Sequence, residues 1–150
     1  MRATRALVLS AVLLSATLGG MSSRGADVRG GAGYRMIVNA SNPVETVDRR
    51  FLTEAFFKKT TRWPNDLLIR PADQSTDSPA RRAFSDDVLR RSVAAVKSYW
   101  QQMVFSGRGL PPPELDDDAD VVKFVVRNPG AIGYVSPGAN VAGAKPIGVR

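Results

Sequence analysis

The side chains best suited to chemistry crowd into one stretch, Asp73-Gln74-Ser75-Thr76-Asp77-Ser78-Pro79. Gln74, Ser75, Thr76 and Ser78 offer neutral donors and acceptors, and Asp73 and Asp77 offer carboxylates. Just upstream, Pro64-Asn65-Asp66 is turn chemistry and Leu67-Leu68-Ile69 is a short apolar run of the kind a buried strand supplies. Downstream, Ser78 fits a helix N-cap and Pro79 the first helical position, where a missing N–H costs nothing. A strand that passes through a polar loop into a helix start leaves unpaired amides and a positive dipole end facing outward, which suits an anion. Arg81, one turn into the helix, and Arg108, set between Gly107 and Gly109, are the charge partners at hand. The plainer alternative is that Asp77 and Ser78 do no more than cap the helix.

Other chemistry is narrowed by what is missing. The chain has no histidine and no cysteine, so Ser-His-Asp and Cys-His nucleophile systems and His/Cys zinc sites are excluded. A hydrolase working through Asp73 and Asp77 is the weakest reading, because nothing in the sequence orients or tunes them. The composition therefore argues against an enzyme, and no cofactor or metal is expected. Asp116, Asp117, Asp118 and Asp120 lack the central glycine and terminal glutamate of an EF-hand loop, and acids favour the first turn of a helix. Trp63 and Trp100 read as core aromatics, since neither has neighbours that suggest a cage.

The elements that must position these residues follow in chain order. Arg2 and Arg5, an apolar run from Ala6 to about Gly20, and then small residues give the order of a secretory signal peptide over residues 1–25, cleaved somewhere between Gly20 and Ala26. Residues 26–33 read as a flexible start, and 34–150 as one domain. Of the chain's 21 Lys+Arg and 14 Asp+Glu, the leader holds Arg2, Arg5 and Arg24 and no acid, so the remainder carries only +4. Its basic residues are scattered, and with an export signal nucleic acid is not an expected partner.

Tyr34–Asn39 is a first strand, and Asp48 caps a helix carrying Phe51, Leu52, Ala55 and Phe56 on one face. A strand follows at Leu67–Arg70, then the Pro79 helix to about Phe84. Ser92 caps a helix from Val93 to about Ser106, whose stripe Val93, Val96, Trp100, Met103 and Val104 is expected to face the core, and Gly107 ends it. Pro111-Pro112-Pro113 stiffens the next loop. A helix at Val121–Arg127, a strand at Ala131–Val135 and an edge strand at Pro146–Val149 complete an α/β pattern of two or three layers.

Three segments together resemble a known family: FFKKTTRW at 56–63, PADQSTDSPARRAF at 71–84 and NPGAIGYV at 128–135. They look like the phosphate-binding periplasmic proteins of ABC transporters, with the likeness running from about Met36 to Val135. The Tyr99–Gln102 and Phe105–Gly109 segments also resemble short exported proteins of that kind. The resemblance implies an α/β fold, a single periplasmic-binding-protein-like lobe with a mixed sheet flanked by helices. It implies a ligand-binding role at Gln74, Ser75, Thr76 and Ser78, with Arg81 or Arg108 as charge partners. The family's ligand Arg falls on Gln74, its Gly-Ser-Gly-Thr becomes Asp77-Ser78-Pro79-Ala80, and the chain has room for one lobe.

The leading expectation is thus an exported, periplasmic or secreted, non-enzymatic protein. It recognises phosphate or another small anion, or a partner such as an ABC transporter permease, near Ser78. The alternative is an envelope protein-interaction module without a small ligand, or a homodimer that rebuilds the cleft.

Overall fold

A computed structural model describes residues 33–150. The expected signal peptide at 1–25 lies outside the described residues, as does the flexible start apart from Gly33. A five-stranded mixed sheet runs in the order β2–β7–β1–β6–β3, from β1 (Arg35–Asn39), β2 (Thr46–Val47), β3 (Arg70–Pro71), β6 (Ala131–Val135) and β7 (Ala144–Val149). β1 is antiparallel to both its neighbours, with Met36 opposite Tyr134 on one side and Ile147 on the other. The outer strands β2 and β3 run parallel to β7 and β6. A separate parallel pair joins β4 (Asp73–Gln74) to β5 (Glu114–Leu115).

Strand alternation sorts the core into two faces. Met36, Val38, Ile132, Tyr134 and Ile147 join a cluster with Leu52 and Phe56 of α1 (Arg49–Phe56), Ala80 and Phe84 of α2 (Pro79–Phe84), and Val96 and Trp100 of α3 (Val93–Phe105). Ile37, Ala131 and Val135 face Val121 and Val125 of α4 (Asp118–Arg127) instead. Gly133 lies between Ala131 and Val135, and a Cβ there would meet Val121 Cγ1 at 2.7 Å, so the bare backbone is what lets α4 lie close. Helices on both faces make this a three-layer arrangement.

Three caps form as the sequence predicts: Asp48, Ser78 and Ser92 accept from the amides of Phe51, Arg81 and Ala95. The last helix starts at Asp118, three residues before the expected Val121, with Asp117 as its cap on Asp120 N–H. At the end of α3, Gly107 takes φ 66° and Arg108 N–H donates to Met103 O at 2.9 Å, closing the last turn. Beyond Phe84 the α2 helix widens into a π-helical turn, Ser85–Leu89, which stops at left-handed Arg90.

Three expectations are corrected. Leu67 and Leu68 are not in a buried strand; they are 37% and 49% exposed, and the sheet pairing starts only at Arg70. The turn before them is tight: Asp66 has φ 68°, Trp63 N–H bonds back to Leu67 O, and Arg62 bridges Leu68 at the rim. The last strand begins at Ala144 and is interior, not at an edge. Pro146 is tolerated there because the even-numbered amides of β7 point at β2, whose first contact is Gly148 N–H on Glu45 O at 2.9 Å; no ladder bond is asked of residue 146. Finally, of the expected α3 stripe only Val96 and Trp100 are buried, while Val104 is exposed.

Candidate functional site

β4 and the first turn of α2 meet over a buried polar knot. Asp73 follows Ala72, whose N–H is bound to Ile132 O at 2.9 Å, so β6 fixes where the carboxylate enters. Its Oδ1 accepts from the Tyr134 hydroxyl, pairs with Arg81 Nη1, and receives Gln74 N–H at 3.2 Å. Both side chains of the ion pair are almost sealed, at 7% exposure for Asp73 and 5% for Arg81. Arg81 Nη1 also donates to Gln74 O at 2.9 Å, while Arg81 Nε is buried with no partner among the described residues. Burial pushes the Asp73 carboxyl above its usual range, against the opposing pull of Arg81 and the Tyr134 hydroxyl. Burial, and next the Asp73 charge, push the Tyr134 hydroxyl well above its ordinary value.

The Gln74 side chain fills the space in front of α2. Its Nε2 donates to Asp118 Oδ1 at 2.7 Å and to Tyr134 O at 3.0 Å, and its Oε1 accepts from Ser78 Oγ. Ser78 Oγ in turn caps Arg81 N–H at 3.2 Å, and Asp118 Oδ1 also takes Ser136 N–H at 2.9 Å. Asp118, read from sequence as a helix-start acid, thus also ties α4 to this knot.

Beside the knot opens a cavity of about 550 Å³, within the range of small-ligand sites. Asp73, Thr76 and Arg81 line it on one side. Lys97, Trp100, Gln101, Val104 and Phe105 of α3 line another, and Pro111–Pro113 with Glu114 a third. The α3 residues fall three and four apart, so they share one helix face. The proline wall is held by Asp73 N–H on Pro113 O and Ser75 N–H on Leu115 O, both at 2.9 Å.

The structure brings together Gln74, Ser78 and Arg81 in the knot and Thr76 with Arg81 at the cavity. Ser75 stands at the end of β4, bonded to β5. Arg108 does not join them; its Nε bonds Ser106 Oγ at 2.9 Å on the exposed end of α3. Sequence reasoning held that nothing orients or tunes Asp73; in the fold, Tyr134, Arg81 and Gln74 N–H all do. Asp77 is exposed and shares in none of this. Tyr134, Lys97 and Phe105 were missed. The 97/100/101/104/105 spacing was the available signal for the α3 face, whereas nothing local marks Tyr134.

No family model matches the chain, and no curated protein does. Solved structures do. An ABC-type phosphate transport receptor from Vibrio cholerae superposes with TM-score 0.61 at 21% identity, over 78% of this chain and 46% of that one. A Clostridium perfringens protein, described as a phosphate ABC transporter substrate-binding protein with bound phosphate, gives 0.62 at 20%, over 78% and 44%. PstS from Borrelia burgdorferi gives 0.54 at 12%, over 79% and 47%. The fold is therefore that of the phosphate transporter substrate-binding proteins, an α/β mixed sheet flanked by helices. The chain spans less than half the length of each of these structures. Among the described residues, no helix is long and apolar enough to cross a membrane.

Proposed function

We propose that this protein is an exported, non-enzymatic solute-binding module that takes a small anion, phosphate among the candidates, beside the first turn of α2. The observation that carries this reading is Arg81: a side chain 5% exposed, with a buried Nε that has no partner among the described residues, on the wall of a cavity next to that turn. The shared fold supports a substrate-binding role, although a fold by itself assigns no ligand. Ser75, Thr76 and Arg81 are the proposed contacts. Gln74 and Ser78 contribute by holding Arg81 in place, through Gln74 O on its Nη1 and Ser78 Oγ on its backbone amide. In the periplasm, or outside the cell, such a module would hand its ligand to an ABC transporter permease. Calorimetric titration of the chain with inorganic phosphate at low ionic strength tests this: heat that disappears in Arg81→Gln is the expected result. No heat at millimolar phosphate would remove phosphate as the ligand.

A second reading, an envelope protein-interaction module or homodimer, is favoured by Phe105, which is 91% exposed, with Leu110 and Val104 exposed nearby in sequence. Such a module would keep its partner when Ser78 is replaced by Tyr, and a homodimer would show in sizing chromatography. A monomer whose ligand heat is abolished by Ser78→Tyr would discard it.

A further inference from the structure

The lining of the cavity beside Arg81 is of two chemical kinds. Arg81, Thr76 and Lys97 supply polar and cationic groups, whereas Trp100, Val104, Phe105 and the Pro111–Pro113 wall are apolar. Phe105 and Val104 are 91% and 45% exposed, so among the described residues nothing covers that part of the apolar lining. The positive charge of the lining is also limited. Asp73 already neutralises much of Arg81, and Glu114 adds a second carboxylate to the lining. A dianion would therefore meet little net attraction there, whereas a single negative charge asks less of Arg81 and Lys97 together.

We infer that the cavity takes an amphipathic monoanion, a carboxylate at the end of an apolar chain. The carboxylate sits at Arg81, Thr76 and Lys97, and the chain lies between the exposed face of α3 and the proline wall. This rests on the reading of the cavity as an anion site and names the class of anion.

The test is a calorimetric series on the full chain with acetate, butanoate, hexanoate and octanoate, beside inorganic phosphate and neutral 1-octanol. Affinity is expected to rise about two- to fourfold for each added methylene, the range for half to full burial of that group. Octanoate is expected to bind at least about tenfold better than 1-octanol, the equivalent of one charge-assisted contact. Phe105→Ser and Val104→Ser change exposed positions, so folding is spared; both are expected to weaken octanoate severalfold and leave acetate unchanged. Lys97→Gln is expected to weaken octanoate and not octanol. Equal affinity for acetate and octanoate, or no response to Phe105→Ser, overturns the inference while leaving a small-anion site standing. Silence from all the carboxylates and from phosphate removes both.

Discussion

Replacing Arg81 with Met isolates what the buried knot contributes. The change keeps an unbranched side chain while removing the guanidinium, and leaves the backbone amide of residue 81 capped by Ser78. It strips Asp73 of its ion-pair partner and Gln74 O of a 2.9 Å donor, in a place where both side chains of the pair are at most 7% exposed. Removing one member of a buried pair costs roughly 3–5 kcal/mol, because the other charge stays behind desolvated. With a urea m-value of about 2 kcal/mol/M, the unfolding midpoint should fall by about 2 M.

The pH dependence supplies the sharper check. Burial already holds the Asp73 carboxyl above its unfolded value, and Arg81 is what pulls it back. Without Arg81 it rises further. A carboxyl raised in the folded state contributes stability that is fully present below its unfolded value of about 4 and is lost as pH climbs through the folded one. The deficit of Arg81→Met should thus be largest at neutral pH and shrink toward pH 4. Adding Asp73→Asn removes the stranded charge and should restore most of the loss at neutral pH. Urea unfolding followed by circular dichroism across that range decides the matter. A deficit that is the same at both ends, or a double variant no better than the single, would refute the reasoning.

Two further outcomes follow from geometry elsewhere. Gly130 has φ +79° and an added Cβ would lie 2.1 Å from Leu68 O, so Gly130→Ala should destabilise by about 2 kcal/mol or more, read in the same unfolding assay. Burial raises the Asp87 carboxyl, but the Tyr34 hydroxyl at 2.7 Å and the Arg49 guanidinium outweigh it and hold the group below its ordinary value. A depressed carboxyl stabilises above its unfolded value and loses that contribution as pH falls through the folded one. Acid unfolding curves of Asp87→Asn should therefore lie below the parent at neutral pH and converge with it in strong acid; parallel curves would count against the pairing.

Local chemistry made the scaffold readable. Asp48, Ser78 and Ser92 cap helices because a short side-chain oxygen bonding an amide three residues on needs no distant partner. The all-buried strand Ala131–Val135 was legible as a continuous small and apolar run. What failed was whatever depended on neighbours far along the chain. Leu67 and Leu68 look like a buried strand until the tight turn after Trp63 places them at the rim. Pro146 marks an edge by its missing N–H, but the register with β2 asks nothing of that position. Val104 fits the apolar period of α3, yet α3 packs with Val96 and Trp100 inward and turns Val104 to the cavity. The knot was the least legible feature: Asp73, Arg81, Asp118 and Tyr134 come from β4, α2, α4 and β6, and no spacing in the sequence links them.

That knot also accounts for where an anion would and would not be welcome. At the head of α2, the hydroxyl of Ser78, the amide of Gln74 and the carboxylate of Asp118 already bond one another. An incoming anion there would have to displace a neutral side chain whose hydrogen bonds are all made, and would then face Asp118 at close range. Each unmet bond costs about 1–3 kcal/mol, and the carboxylate adds repulsion. In the cavity beside Arg81 no fully bonded side chain has to be displaced, and Arg81 and Lys97 offset the Asp73 and Glu114 carboxylates of its lining. By filling the mouth of α2 with its own glutamine, the chain leaves the proposed anion position beside the open face of α3, where charged and apolar side chains line one cavity.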